Sequence, residues 1–146
     1  VDSVQSVVLL VEDNESHALL TIRGLSQQNI DHKIIHVTDG QAALDYLYRR
    51  GVYTNRRLSP RPDLVLLDLR LPKIDGLDVL QEIKNDEDLR SIPVVVLTSS
   101  MAEPDIVRAY MYHVNSYLVK SLDYDEFRRE MNDVARYWLT WNINPL

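Results

Sequence analysis

Residues 7–11, 64–67, 93–97 and 117–119 are short apolar runs, and each is followed at once by side chains with chemistry to offer. Glu12 and Asp13 follow the first, Asp68 the second, Thr98, Ser99 and Ser100 the third, and Lys120 the last. Carboxylates brought together repel one another, and without neutralisation at least one has its pKa raised. A hard divalent cation removes that conflict; Mg²⁺ characteristically takes one or two carboxylates, several waters and a substrate phosphate. Glu12, Asp13 and Asp68 are therefore candidate Mg²⁺ ligands for phosphoryl chemistry, where the metal offsets charge on the moving group. A carboxylate can also be the nucleophile and become an aspartyl phosphate. Thr98 could donate a hydroxyl hydrogen bond to a phosphoryl oxygen, and Lys120 an ammonium. Taken alone, Glu12-Asp13 reads equally as a solvated strand end that caps a helix, and Thr98 as a structural threonine. Their joint placement at strand ends favours a site.

Those groups meet only if the runs are strands of one sheet. Continuous apolar runs fit strands buried on both faces of a parallel sheet. Ala18, Leu19, Ile22 and Leu25 follow the first run at helical spacing. Residues 33–37 read as a short edge-like strand, and Ala43, Leu44 and Leu47 mark a helix that stops near Gly51. Residues 51–62 form a polar loop containing Pro60 and Pro62. Leu77, Leu80 and Ile83 mark a helix entered through Gly76, read as a position of unusual dihedrals. Pro93 opens its strand, where a missing donor does little harm, and Pro104 suits the first turn of the next helix. The last helix opens with a capping arrangement at residues 123–126 and carries Phe127, Met131, Val134, Ala135 and Trp138 on its apolar face. This alternation predicts an α/β fold, a flavodoxin-like doubly wound five-stranded parallel sheet of strand order 2-1-3-4-5. In that order strands one and three are neighbours. Glu12, Asp13 and Asp68 then converge on the crevice beyond the carboxyl ends, where ligands of such sheets collect. Thr98 and Lys120 approach from the far side.

A length of 146 residues predicts one domain over residues 1–146, with a core of about 6–136 and an apolar C-terminal extension at 137–146. The chain contains no cysteine, which removes disulfides and thiolate metal sites and is compatible with a cytoplasmic location. Residues 1–6 show no basic region leading into an apolar stretch, so no secretory signal is read. No apolar run approaches the roughly 18 residues of a membrane span. Sixteen basic against 22 acidic residues give a net charge of −6, which argues against a nucleic-acid partner. His17, His32, His36 and His113 are scattered and read as surface or packing residues.

Residues 11–14 (VEDN), 67–72 (LDLRLP), Asp75-Gly76, Thr98-Ser99 and 117–120 (YLVK) together resemble the receiver domain of bacterial two-component response regulators, over roughly residues 6–136. That resemblance implies that Asp68 is phosphorylated by a histidine kinase. It implies Mg²⁺ held by Glu12, Asp13, Asp68 and the backbone carbonyl of Arg70, and Lys120 pairing with the phosphoryl group or with Asp68. Thr98 and Tyr117 would be a switch pair, although Tyr117 alone reads as a strand aromatic. The family usually has a cis proline after this lysine; Ser121 stands here. Since a non-proline cis bond costs about 2.5–4 kcal/mol, either that strain is retained or a trans loop presents Lys120 differently.

Residues 137–146 (YWLTWNINPL) place more apolar surface after the last helix than a small domain readily buries. Tyr137, Trp138, Leu139 and Trp141 are accordingly candidate interface residues of a homodimer built from the final helix, this extension and the fourth-helix face; the alternative is that the extension folds back on its own domain. The loop around residues 51–53 and residues 137–139 also resemble the receivers that accompany phytochrome-type histidine kinases, which implies light signalling and arm-exchanging dimers. Arg56, Arg57 and Arg61 form a basic loop, read as a partner contact or a solvated loop. Two other functions are weighed. A degenerate receiver would only bind partners, against which the intact acidic set argues. A flavin-binding electron carrier would need a Ser/Thr/Gly-rich phosphate loop where residues 12–15 (EDNE) would repel phosphate.

Overall fold

The computed structural model describes residues 5–27 and 30–145. Residues 1–4, on which the reading of the N-terminus partly rests, and Leu146 of the extension lie outside the described residues. Among the described residues the strands are β1 (Ser6–Val11), β2 (His32–Val37), β3 (Leu64–Leu67), β4 (Val94–Thr98) and β5 (Ser116–Val119). They form one parallel sheet in the order β2-β1-β3-β4-β5, as expected. In register, Val11 stands opposite both Val37 and Leu67, so Glu12 and Asp68 leave the sheet at the same level.

Alternate residues of each strand feed the two faces, the period-2 rule of a pleated strand. Leu9, Val11, Val65, Leu67, Val94 and Val96 face one cluster. It is completed by α2 (Gly40–Leu47), α3 (Gly76–Asn85) and α4 (Glu103–Met111). Val8, Leu10, Leu64, Leu66, Val95 and Leu97 face the other, against α1 (Glu15–Leu25) and α5 (Tyr124–Arg136). Each buried aliphatic contributes roughly 1.5–3 kcal/mol, so the strand cores fix the frame from which the polar strand ends project. On α1 the inward face is Ala18, Thr21, Gly24 and Leu25, whereas Leu19, read from spacing as apolar-face, is 49% exposed.

Helix starts follow their caps. Asn14, Asp39, Asp75 and Asp123 each accept a backbone N–H of the first turn of α1, α2, α3 and α5. Gly76 has a structural role, but not the one read from the sequence: it is not at positive φ, a feature found at Gly51. A Cβ on Gly76 would lie 2.3 Å from the Asp68 carbonyl oxygen and 2.5 Å from Leu69 Cα. Glycine is required there because α3 starts against the backbone that carries Asp68.

The 51–62 segment is more ordered than a plain polar loop. Residues Gly51–Tyr53 make a 3-10 turn, and Tyr53 meets Tyr46 edge-on. The Tyr46 hydroxyl donates to the Pro60 carbonyl at 2.7 Å, with its phenol pushed up to about 12 by burial. Lys84 braces the opposite end of the sheet: its ammonium donates to the Arg90 and Ile92 carbonyls and to Asn115 Oδ1 at 3.0, 2.9 and 2.9 Å.

The extension continues α5 as a π-helical turn, Tyr137–Trp141. Trp138 and Leu139 are half-buried against the α1/α5 cluster, whereas Tyr137 and Trp141 are exposed. Beyond the turn, Asn144 Nδ2 donates to the Asp63 carbonyl and Oδ1, both at 3.3 Å, drawing the chain under the amino ends of the strands. The extension thus folds back in part and leaves part of its apolar surface outside.

Candidate functional site

β1 and β3 deliver Glu12, Asp13 and Asp68 to one place. One carboxylate oxygen from each lies within 4.8 Å of the others, and this acidic group is the metal-competent cluster found among the described residues. Glu12 and Asp68 are buried and Asp13 is exposed. The donors are all oxygen, the set a hard divalent cation takes.

The two buried carboxylates are individually held. Asp68 Oδ1 accepts the Leu69 N–H at 2.7 Å. Glu12 Oε2 accepts the Asn14 N–H at 3.2 Å, and the Glu12 carbonyl lies 2.8 Å from His36 Nε2 on β2. Lys120, at the end of β5, crosses the crevice and donates to Glu12 Oε1 at 2.5 Å and to Asp68 Oδ2 at 3.1 Å. With side-chain exposures of 7%, 3% and 10%, the ammonium and its two carboxylates make a buried charged triad. Burial raises the Glu12 pKa to about 7, with Asp68 adding to the rise and Lys120 opposing it. A further cation among these oxygens would favour the ionised form, so the residues present fit a divalent metal.

Among the described residues no peptide bond is cis, so Lys120–Ser121 is trans. The trans loop still presents Lys120 to both acids, with the Lys120 N–H donating to the Thr98 carbonyl at 2.8 Å.

Thr98 is fully buried at the end of β4, and its Oγ1 accepts the Ser100 N–H at 3.2 Å. The Tyr117 hydroxyl, half-buried against the α2–α4 face, donates to the Ser100 carbonyl at 2.9 Å. Ser100 Oγ donates to Asp105 Oδ2 at 2.5 Å, and the same oxygen lies 3.4 Å from Arg70 Nη2. Thr98, Ser100, Tyr117 and Arg70 are therefore linked through the loops after β3 and β4. The exposed residues Tyr137 and Trp141 and the half-buried Trp138 and Leu139 lie on the extension after α5, outside this group.

Two site residues escaped the sequence reading. His17 Nδ1 lies 3.1 Å from Lys120 Nζ, and His36 supports the Glu12 backbone. Isolated histidines carry no pattern of their own. The available signal was placement: His17 lies in the first turn of a helix that starts directly beyond Asp13.

A family model described as the response regulator receiver domain matches residues 8–132. The chain belongs to the response-regulator receiver family. Among curated relatives, the probable methanogenesis regulatory protein FilR2 of Methanothrix harundinacea is 49% identical over 139 residues, 95% of this receiver and 87% of the relative. Response regulator Rcp1 of Synechocystis is 46% identical over 133 residues, 91% and 88% of the two chains. Among solved structures, the phosphorylated cyanobacterial phytochrome response regulator RcpA superposes with a TM-score of 0.93 at 40% identity, covering 98% of this receiver and 100% of that chain. The Mn²⁺-bound form of Rcp1 gives a TM-score of 0.90 at 43% identity, covering 97% and 99%. The receiver is closely related to Rcp1 and to the phytochrome response regulator RcpA, as a two-component response regulator, and its acidic pocket is of the kind that takes a divalent metal.

Proposed function

We propose that Asp68 is the phosphoacceptor of this receiver, accepting a phosphoryl group from the phosphohistidine of a sensor kinase. The observation that carries the reading is the Lys120 ammonium bound to both Asp68 Oδ2 and Glu12 Oε1 in a buried crevice. In the transfer, an Asp68 carboxylate oxygen forms a bond to phosphorus as the P–N bond to the donor imidazole breaks. The electron pair returns to that nitrogen, which takes up a proton. Glu12, Asp13, Asp68 and the Arg70 backbone carbonyl would hold Mg²⁺, which when bound offsets charge on the transferring phosphoryl group. Lys120 follows the phosphoryl oxygens as Asp68 is consumed, and Thr98 offers its hydroxyl from the end of β4. Tyr117 and Thr98 then form the switch, through their shared loop at Ser100.

The residues at 6–136 form the receiver core and 137–146 its apolar C-terminal extension; output runs through protein contacts in the cytoplasm, with neither nucleic acid nor membrane as partner. A homodimer would use the exposed Tyr137 and Trp141 beside Trp138 and Leu139. A phytochrome-type kinase is the proposed donor, supported by similarity to RcpA and Rcp1 over nearly their whole lengths. The likeness to FilR2 favours a second reading of the upstream signal, a regulator of the kind its name describes. Phosphotransfer from a purified, autophosphorylated phytochrome-type kinase separates the two. Rapid transfer that is lost in Asp68→Asn supports the first reading, and transfer from other kinases alone rejects it. Transfer that survives Asp68→Asn would overturn the assignment of the acceptor.

A further inference from the structure

Lys120 has one more partner than the phosphoryl reading uses. An ammonium has three N–H donors and no lone pair. Lys120 Nζ places them on Glu12 Oε1, Asp68 Oδ2 and His17 Nδ1, at 2.5, 3.1 and 3.1 Å. Because the ammonium can only donate, Nδ1 must carry the lone pair and Nε2 the ring hydrogen. Burial, and then the Lys120 charge, hold the imidazole below its ordinary pKa, which agrees with a neutral acceptor.

His17 is itself well anchored. Its N–H donates to Asn14 Oδ1 at 3.0 Å, and its carbonyl accepts the Thr21 hydroxyl at 2.8 Å. Its neighbour Ala18 is buried against the α1/α5 cluster. The residue after Lys120 is Ser121, which has no ring to restrict the backbone, so the position of the ammonium depends on its side-chain tethers. Two tethers are the acids of the crevice. The third is a neutral ring on the rim, 44% exposed, beside a cavity of about 190 Å³ that Leu20, Leu122, Tyr124 and Phe127 also line.

We propose that His17 is a positioning residue for phosphoryl transfer, holding the Lys120 ammonium from the α1 side while its contact with Asp68 is given up to the incoming phosphoryl group. This rests on Asp68 being the phosphoacceptor. As the new O–P bond consumes Asp68, Nζ loses one anchor and pivots on Glu12 and His17. With both in place the freed N–H points into the crevice. With His17 gone, Glu12 is the remaining anchor and the ammonium rotates about it. The defect belongs to the transfer step, because His17 hydrogen-bonds the ammonium, whereas its approach to the acidic group, Nδ1 to Glu12 Oε1 at 3.9 Å, is too long for a hydrogen bond.

Acetyl phosphate with constant Mg²⁺ provides the test. The Asp68 oxygen forms a bond to phosphorus while the P–O bond to the acetyl group breaks, and acetate leaves with the electron pair. Time courses of intact mass over a range of donor concentrations are taken for the parent, His17→Leu, His17→Asn and Asp68→Asn. Asparagine keeps an acceptor oxygen where Nδ1 stands; leucine removes it. The expected result for His17→Leu is a saturating rate about tenfold lower, a loss typical of misplaced groups, with the half-saturating concentration unchanged. His17→Asn is expected to recover to within about twofold of the parent on the same argument. A parental rate in His17→Leu, or no recovery in His17→Asn at equal stability, overturns the proposal. Nitrogen NMR of the parent supplies a readout independent of transfer: an unprotonated Nδ1 supports the contact, and a hydrogen on Nδ1 overturns it even if the variants fail to fold. Absence of any adduct on the parent, alongside an unprotonated Nδ1, places the failure in the phosphoacceptor reading instead.

Discussion

Lys120 balances the charge of the crevice, because Glu12 and Asp68 are both buried and both bind its ammonium. Removing one partner of a buried ion pair leaves an uncompensated charge, at a cost of about 3–5 kcal/mol. Lys120→Met should therefore lower stability by about that amount in chelator, and Mg²⁺ should restore part of it by supplying the missing positive charge. Urea unfolding in EDTA and in excess Mg²⁺ checks this; equal stability to the parent under both conditions would remove Lys120 from the charge balance. Gly76 answers to a different force. A methyl group at Gly76 collides with the backbone of Asp68 and Leu69, which cannot move without displacing the strand end. Gly76→Ala is expected to cost about 1–3 kcal/mol, in the range of overpacked sites, and to slow phosphoryl uptake. The same urea experiment and an adduct time course measure both effects. The requirement for glycine was legible in the sequence, but its cause was not, because the approach of α3 to the β3 end exists only once the fold closes.

At the scale of elements, the sheet order and the polar strand ends were legible because parallel strands are apolar on both faces and end abruptly in charge. The contacts between elements were not. Lys84 looks like an ordinary charged residue near the end of a helix, yet it joins α3 to both ends of the segment entering β4 and to Asn115 before β5. Burial pushes its pKa from 10.5 down to about 8. Between those values the unfolded chain binds more protons than the fold, so this group makes stability rise with pH across that window. Above pH 10 the raised Tyr46 pKa acts in the opposite sense, since there the fold holds the proton more firmly. Thermal melts from pH 8 to 10 should show the rise in the parent and a flatter profile in Lys84→Met. That variant should also lose about 1–3 kcal/mol because the buried Ile92 carbonyl loses a donor. A parallel profile in the two proteins would contradict the assignment. The Arg70–Asp105 pair between the loop after Asp68 and α4 is a weaker link, because the Arg70 side chain is 72% exposed. A double-mutant cycle should give it less than about 1 kcal/mol.

For the whole molecule, the extension shows where sequence reading ran short. Its apolar excess was visible, but not its division: Trp138 and Leu139 turn to their own core while Tyr137, Trp141 and Ile143 stay outside. A π-helical turn and a polar contact from Asn144 to Asp63 decide that split, and neither has a sequence period. If the exposed part mediates pairing of two copies, Tyr137→Ser with Trp141→Ser should shift the protein toward monomer in analytical ultracentrifugation without changing metal affinity. An unchanged sedimentation profile would take the extension out of the interface. Phosphoryl uptake by this receiver turns on Asp68. Intact-mass measurement after incubation with acetyl phosphate and Mg²⁺ tests it most directly. One added phosphoryl group is expected on the parent, none on Asp68→Asn and none when the metal is chelated; an adduct that persists in Asp68→Asn, or none on the parent, would contradict Asp68 as the acceptor.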